Sequence, residues 1–201
     1  KNTVGLVIDQ DHNCGGSVAY LERMLGLFMA DEYSSIQFQL LASHQEYLAF
    51  KKWLDEGNKH TLGYQGRKRT LELIKKHWLD GDFMTPMTSI FGIEKRKPHG
   101  GVRYTHPIIV LIDEMSGSGG DAFPAMMQGL GRAQLLGTRT MGAGGHVEAQ
   151  PPLNFSRVGF RMTKSLFFRP DGVAVENNGA VPDIEYQITR NDFLYDFVEY
   201  R

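Results

Sequence analysis

Residues 108–132 constrain the fold of this chain more tightly than any other stretch. The apolar run Ile108-Ile109-Val110-Leu111-Ile112 breaks into Asp113-Glu114-Met115-Ser116-Gly117-Ser118-Gly119-Gly120-Asp121, and a helical pattern follows. A short apolar run bounded by glycines reads as a buried strand, and the sequence then demands a tight turn and a helix start. Ser118 therefore stands at the positive end of a helix. Glycine on either side permits the positive-φ geometry that lifts a side chain clear of a turn, and unpaired N–H groups there can stabilise a developing oxyanion. A serine so placed either caps the helix or acts as a nucleophile, and this segment alone fits both.

The same design occurs earlier in the chain. Val4-Gly5-Leu6-Val7-Ile8-Asp9 is an apolar strand that opens through residues 10–16, with paired Gly15 and Gly16, into a helix from Ser17 to about Ala30. Tyr20, Leu21, Met24, Leu25 and Phe28 form its expected inner face. Residues 36–41 read as a strand, and Ser43 caps a helix through Leu54. Residues 56–105 read as an excursion from the core that includes a basic amphipathic helix over 67–78. Beyond the central unit, further strands are expected at 133–137, 160–163 and 166–169. The Pro170-Asp171-Gly172 turn ends the last of these, and a terminal helix follows, capped by Asn191. Strand and helix alternate, so the fold class is α/β with a largely parallel sheet covered by helices. Two glycine turns at the carboxyl ends of parallel strands mark the usual ligand edge of such a sheet.

Composition narrows the function. The chain has 201 residues, 41% hydrophobic and 22% charged, with a formal charge of -1. That is enough for one domain with its own core, and it gives no general attraction to nucleic acid or anionic lipid. No apolar run approaches the roughly 18 residues of a membrane helix. Cys14 is the single cysteine, so no internal disulfide forms. Seven histidines, at 12, 44, 60, 77, 99, 106 and 146, show no metal-ligand spacing. The sequence starts at Lys1, and the expectation is that it begins inside a longer protein, with any export signal upstream.

Gly117 to Ala122 also fits the dinucleotide fingerprint G-x-G-x-x-A, which makes an NADP-binding oxidoreductase the enzymatic rival. Asp113 and Glu114 oppose a pyrophosphate there, and no acidic residue ends the next strand. Ser116 occupies the first glycine position of the G-x-S-x-G nucleophile elbow. Two later segments hold further candidates: the glycine loop Gly142-Ala143-Gly144-Gly145, and the turn-rich stretch around an isolated acid, Glu176.

Taken in order, these motifs resemble the serine peptidase family of C-terminal-processing and tricorn proteases. The resemblance rests on residues 6–18, Leu111-Ile112-Asp113-Glu114, Ser118-Gly119-Gly120-Asp121, Gly131-Arg132-Ala133, Gly137-Thr138-Arg139-Thr140, Gly142 to Gly145, Arg169-Pro170-Asp171-Gly172 and residues 176–184. It covers nearly the whole chain and is weakest over 56–105. It implies a crotonase- and ClpP-like spiral fold and peptide-bond hydrolysis through an acyl-enzyme, with no cofactor and no metal. Ser118 is the implied nucleophile and Glu176 the acidic partner, with the oxyanion hole made by N–H groups of Gly119 and of the Gly15-Gly16 turn.

The resemblance also implies what this sequence lacks. One branch of the family uses a Ser–Lys dyad, and its lysine falls at Ala143. The other, tricorn-type branch takes a histidine base from the region before the first strand seen here. Serine needs a base of near-neutral pKa, and Glu176 alone is too weak. The expected partners are thus a polypeptide substrate, the upstream half of the same protein carrying the histidine, and a second copy in a homodimer. Action in the periplasm or outside the cell is expected from likeness. The rival from another class is a catalytically silent peptide-binding module on the same fold.

Overall fold

The computed structural model describes residues 3–57, 59, 62–101 and 103–198; His60 lies outside them. At its centre is a four-stranded parallel sheet, β1(Leu6–Asp9), β5(Ile108–Ile112), β6(Gln134–Gly137) and β10(Ile184–Glu185), in the order β1-β5-β6-β10. Register pairs Ile8 with Val110 and Val110 with Leu135. Ile108, Val110 and Ile112 point to one face and are buried in one apolar cluster with residues of α1(Val18–Leu25) and α4(Gly119–Gly129). There they meet Leu21, Leu25, Ala122, Phe123, Met126 and Leu135. Each fully buried aliphatic of this kind contributes about 1.5–3 kcal/mol. The opposite face is open at β1, where Val7 is 59% exposed. This edge strand is thus only half covered, although its sequence is continuously apolar.

Three antiparallel pairs surround the sheet: β2(Tyr33–Ser34) with β4(Lys95–Arg96), β3(Gln37–Leu40) with β9(Ser165–Phe168), and β7(Val147–Gln150) with β8(Phe160–Thr163). The strand expected at 36–41 therefore pairs outside the parallel sheet. Helix α2(His44–Glu56) starts where Ser43 accepts the Glu46 N–H at 3.1 Å. It packs on α3(Leu62–Asp80), whose Trp78 stacks on His44 with ring centroids 4.7 Å apart. Ile74 of α3 is fully buried in the main core, and bridges Phe38–Thr88 and Leu41–Met84 bind the following segment to β3. Residues 62–96 are thereby built into the domain.

Two expectations change at the helix level. Tyr20 is 65% exposed, because the buried stripe of α1 runs through Leu21, Glu22 and Leu25 and leaves Tyr20 on the open side. The terminal helix α5(Arg190–Leu194) is capped by Thr189, not Asn191: Thr189 and Asp192 form a reciprocal capping box, which starts the helix two residues earlier. No helix among the described residues is long and apolar enough to cross a membrane.

Candidate active site

Two loops leave the carboxyl ends of adjacent parallel strands, 10–17 after β1 and 113–118 after β5, and polar side chains lock them together. Asp113, buried, accepts the His12 N–H at 3.0 Å on each oxygen and lies 2.7 Å from the Ser116 hydroxyl. The His12 Nδ1 lies 3.2 Å from the same carboxylate. Ser116 is fully buried and accepts the Asn13 N–H at 3.3 Å, while Asn13 O accepts the Gly117 N–H at 2.9 Å. Ser116 therefore joins the two loops. Its position in the elbow pattern is structural.

A proline makes a further tie. Pro124 lies inside α4 and has no N–H to give to the carbonyl four residues back, so Gly120 O is free. The Gln10 side-chain amide donates to it at 2.8 Å. The loop after β1 is thereby fastened to the first turn of α4.

The result is close contact at Ser118. Gly15 has φ +96°, and a Cβ there would stand 2.6 Å from Ser118 Cβ, 2.9 Å from its Oγ and 2.5 Å from Gly119 N. Gly119 in turn faces Gly15 Cα and Gly16 N. Backbone of the first glycine turn therefore packs directly against the amino end of α4. Of the expected N–H donors, Gly15's is taken by Asn13 Oδ1 at 2.9 Å. Those of Gly16 and Gly119 make no hydrogen bond among the described residues.

Ser118 itself has φ 55° and ψ -115°, an outlier conformation for a residue with a side chain, of the kind that costs on the order of 1–3 kcal/mol. Its side chain makes no capping bond to α4, so helix capping is not its role here. It is partly exposed, and its N–H donates to Ala143 O at 3.0 Å.

The 140–145 loop carries this contact across to Glu176. Gly142 O accepts the Asn177 N–H at 2.9 Å, and Gly145 lies so close to Glu176 that a Cβ would stand 2.7 Å from its Oε1. Glu176 accepts the Phe167 N–H of β9 at 3.1 and 3.0 Å on its two oxygens. Burial raises its pKa above the ordinary 4.5, opposed by the N–H donors of Phe167 and Gly145 and reinforced by the negative charge of Asp121. Asp121, fully buried in the first turn of α4, accepts from the Thr140 hydroxyl at 2.5 Å, Gly142 N at 2.8 Å and Ala143 N at 2.9 Å.

Ser118, Gly119, Gly16 and Glu176 thus belong to one connected cluster of loops. No histidine hydrogen-bonds Ser118 or Glu176 among the described residues; His146, next to Gly145, is exposed and donates its N–H to Ser165 Oγ at 2.9 Å. Gln10, Asp113, Ser116, Asp121 and Thr140 had no assigned role in the sequence. Their signal was weak: polar residues at strand and helix ends that prove to be buried.

Comparison with known proteins gives this geometry its context. Residues 1–186 match Peptidase family S41, and the chain belongs to that family. It is 34% identical over 218 residues to a protein of Chlamydia muridarum, a match covering 97% of this chain and 36% of that protein. The tricorn protease of Thermoplasma acidophilum is 34% identical over 87 residues, covering 43% of this chain and 8% of the protease. The structure of mature CPAF complexed with lactacystin has the same α/β fold, with a TM-score of 0.85 at 31% identity over 99% of this chain and 42% of that one. The chain spans little more than a third of the first of these relatives.

Proposed function

We propose that this chain carries the nucleophile, the acidic residue and the oxyanion hole of a serine endopeptidase, with the histidine base supplied by polypeptide outside this sequence. Ser118 Oγ attacks the carbonyl carbon of a bound peptide while its proton passes to the imidazole. The carbonyl oxygen becomes an oxyanion held by the N–H groups of Gly119 and Gly16. Collapse of this intermediate expels the amine, which takes the proton from the imidazolium, and leaves an acyl group on Ser118. Water, deprotonated by the same imidazole, then releases the acid. Glu176 orients the imidazole and stabilises its charged form. The raised carboxyl pKa of Glu176 falls as the imidazolium forms beside it, so the pair is most strongly coupled when charge develops.

One observation carries the reading: the backbone of Gly15 and Gly16 lies in contact with Ser118 and Gly119, which brings two unpaired N–H groups beside a serine held in a strained turn. Removal of one oxyanion-hole donor typically costs about 10^2–10^3 in rate. The test is hydrolysis of an unstructured polypeptide by the full-length protein and its Ser118→Ala variant. Cleavage by the first and none by the second is expected. Equal cleavage by both excludes Ser118, and binding without cleavage by both favours the silent peptide-binding module.

A further inference from the structure

We infer that Asp121 is a positioning residue for this reaction: its buried carboxylate holds the 140–143 loop so that Ala143 O fixes the N–H, and hence the strained turn, of Ser118. The inference rests on the peptidase reading and deepens it. The hydrogen bonds form a closed circuit. Asp121 accepts the N–H groups of Gly142 and Ala143 at 2.8 and 2.9 Å; Ala143 O accepts the Ser118 N–H at 3.0 Å; Ser118 O accepts the Asp121 N–H at 3.0 Å. The Thr140 hydroxyl donates to the same carboxylate and accepts the Ala180 N–H at 2.7 Å, which extends the brace to the segment after Glu176.

The energetics favour a role beyond helix capping. Asp121 is fully buried and no cationic side chain among the described residues forms an ion pair with it; three donors, two of them backbone N–H groups, compensate its charge. A buried carboxylate is tolerated only with such compensation, and a neutral side chain would serve the helix at lower desolvation cost. The loop it braces is rich in glycine, with Gly142 at φ +76°, and has little rigidity of its own. Without the brace, the Ala143 carbonyl is free to move and Ser118 can relax from φ 55°. A displacement of about 1 Å at a nucleophile is enough to lower the rate on the order of 10^2-fold.

Asp121 also acts at a distance. Among the described residues its negative charge raises the Glu176 carboxyl; the other groups facing Glu176 are the N–H donors of Phe167, Gly145 and Glu176 itself. Replacing it with a neutral residue lowers the pKa of Glu176, and it lowers that of an adjacent imidazolium as well, because a stabilising anion is gone. Both shifts move the acid limb of the activity profile to lower pH. A substitution that merely loosens the fold reduces the amplitude and leaves the limb in place.

The experiment uses the full-length protein and its Asp121→Asn, Thr140→Val and Ser118→Ala variants. A fluorophosphonate probe measures the rate of covalent labelling at Ser118, and a peptide substrate gives kcat and KM across pH. The expected result for Asp121→Asn is labelling and kcat slower on the order of 10^2-fold, with KM little changed and the acid limb displaced to lower pH. Thr140→Val, which keeps the carboxylate but removes one donor, should lose roughly tenfold in kcat with the limb unmoved. If Asp121→Asn does not fold, Thr140→Val decides: wild-type kcat in a folded Thr140→Val protein overturns the inference. So does wild-type labelling of Asp121→Asn, or a loss of rate with no movement of the limb. Absence of labelling in the wild-type protein sinks the peptidase reading itself, and the inference with it.

Discussion

Gly15→Ala places one methyl group at the contact on which the site depends. Its cost has two parts. At φ +96° an L side chain is strained, and the left-handed region costs a non-glycine residue about 1–2 kcal/mol. In addition, the new Cβ would lie 2.5 Å from Gly119 N and 2.6 Å from Ser118 Cβ, whereas ordinary contact begins at 3.4 Å. Both neighbours are parts of the main chain or next to it, so no flexible side chain can yield. The two glycine turns must separate by about 1 Å, and a misplacement of that size at the reacting atoms costs on the order of 10^2-fold in rate. The 116-centred hydrogen bonds hold the turns from the other side, so the fold should survive with a loss of about 2–5 kcal/mol, strain and overpacking together. Thermal unfolding and fluorophosphonate labelling of the full-length protein separate the two effects. Gly15→Ala labelled at the wild-type rate would refute the proposed contact between the turns.

The remaining expectations concern stability. Lys164 is 2% exposed, between Glu46 at 3.8 Å and Glu148 at 3.7 Å. Lys164→Met should destabilise by about 3 kcal/mol in urea titration, and Lys164→Met with Glu46→Leu should recover most of it, because the second change removes the stranded buried acid. Burial also holds the Glu46 carboxyl above 4.5. A raised folded pKa means that its stabilising share is full below pH 4.5 and is lost as pH rises through the folded value. The difference in Tm between Glu46→Gln and wild type should therefore grow more positive from pH 4.5 to neutrality. Arg132 donates to the carbonyls of Phe28, Tyr104 and His106 at 2.7, 2.6 and 2.8 Å. Arg132→Lys cannot span all three, and a loss of about 2 kcal/mol in denaturant is expected.

The parallel core was legible because its signals are local. The run Ile108–Ile112 becomes the central strand at the expected residues, and Gly119–Gly129 the following helix. Ser43 caps as expected, since the bond to Glu46 needs only neighbouring residues. What escaped depends on contacts distant in sequence. Strand β7 lies outside the strands expected from the sequence, and its pairing with β8 gives no periodicity. Residues 36–41 look like any strand, and only the partner, β9, decides that they leave the parallel sheet. At the site, Ser118 and Glu176 came from ordered motifs. The choice of Gly16 over Gly15 as donor did not, because it turns on whether Asn13 folds back onto its own turn. Asp113 and Asp121 were legible as acids at element ends, but their burial, and so their bracing roles, required the fold.

The central claim is that Ser118 is an activated nucleophile set between two glycine turns. Peptide mapping by mass spectrometry after fluorophosphonate treatment of the full-length protein tests it most directly. A single adduct on the peptide containing Ser118, slowed when Gly119 and Gly16 are disturbed through Gly15→Ala and slowed when Glu176 is replaced by Gln, is the expected result. An adduct on another serine, or an unmodified Ser118 in a protein that nonetheless cleaves polypeptides, would contradict it.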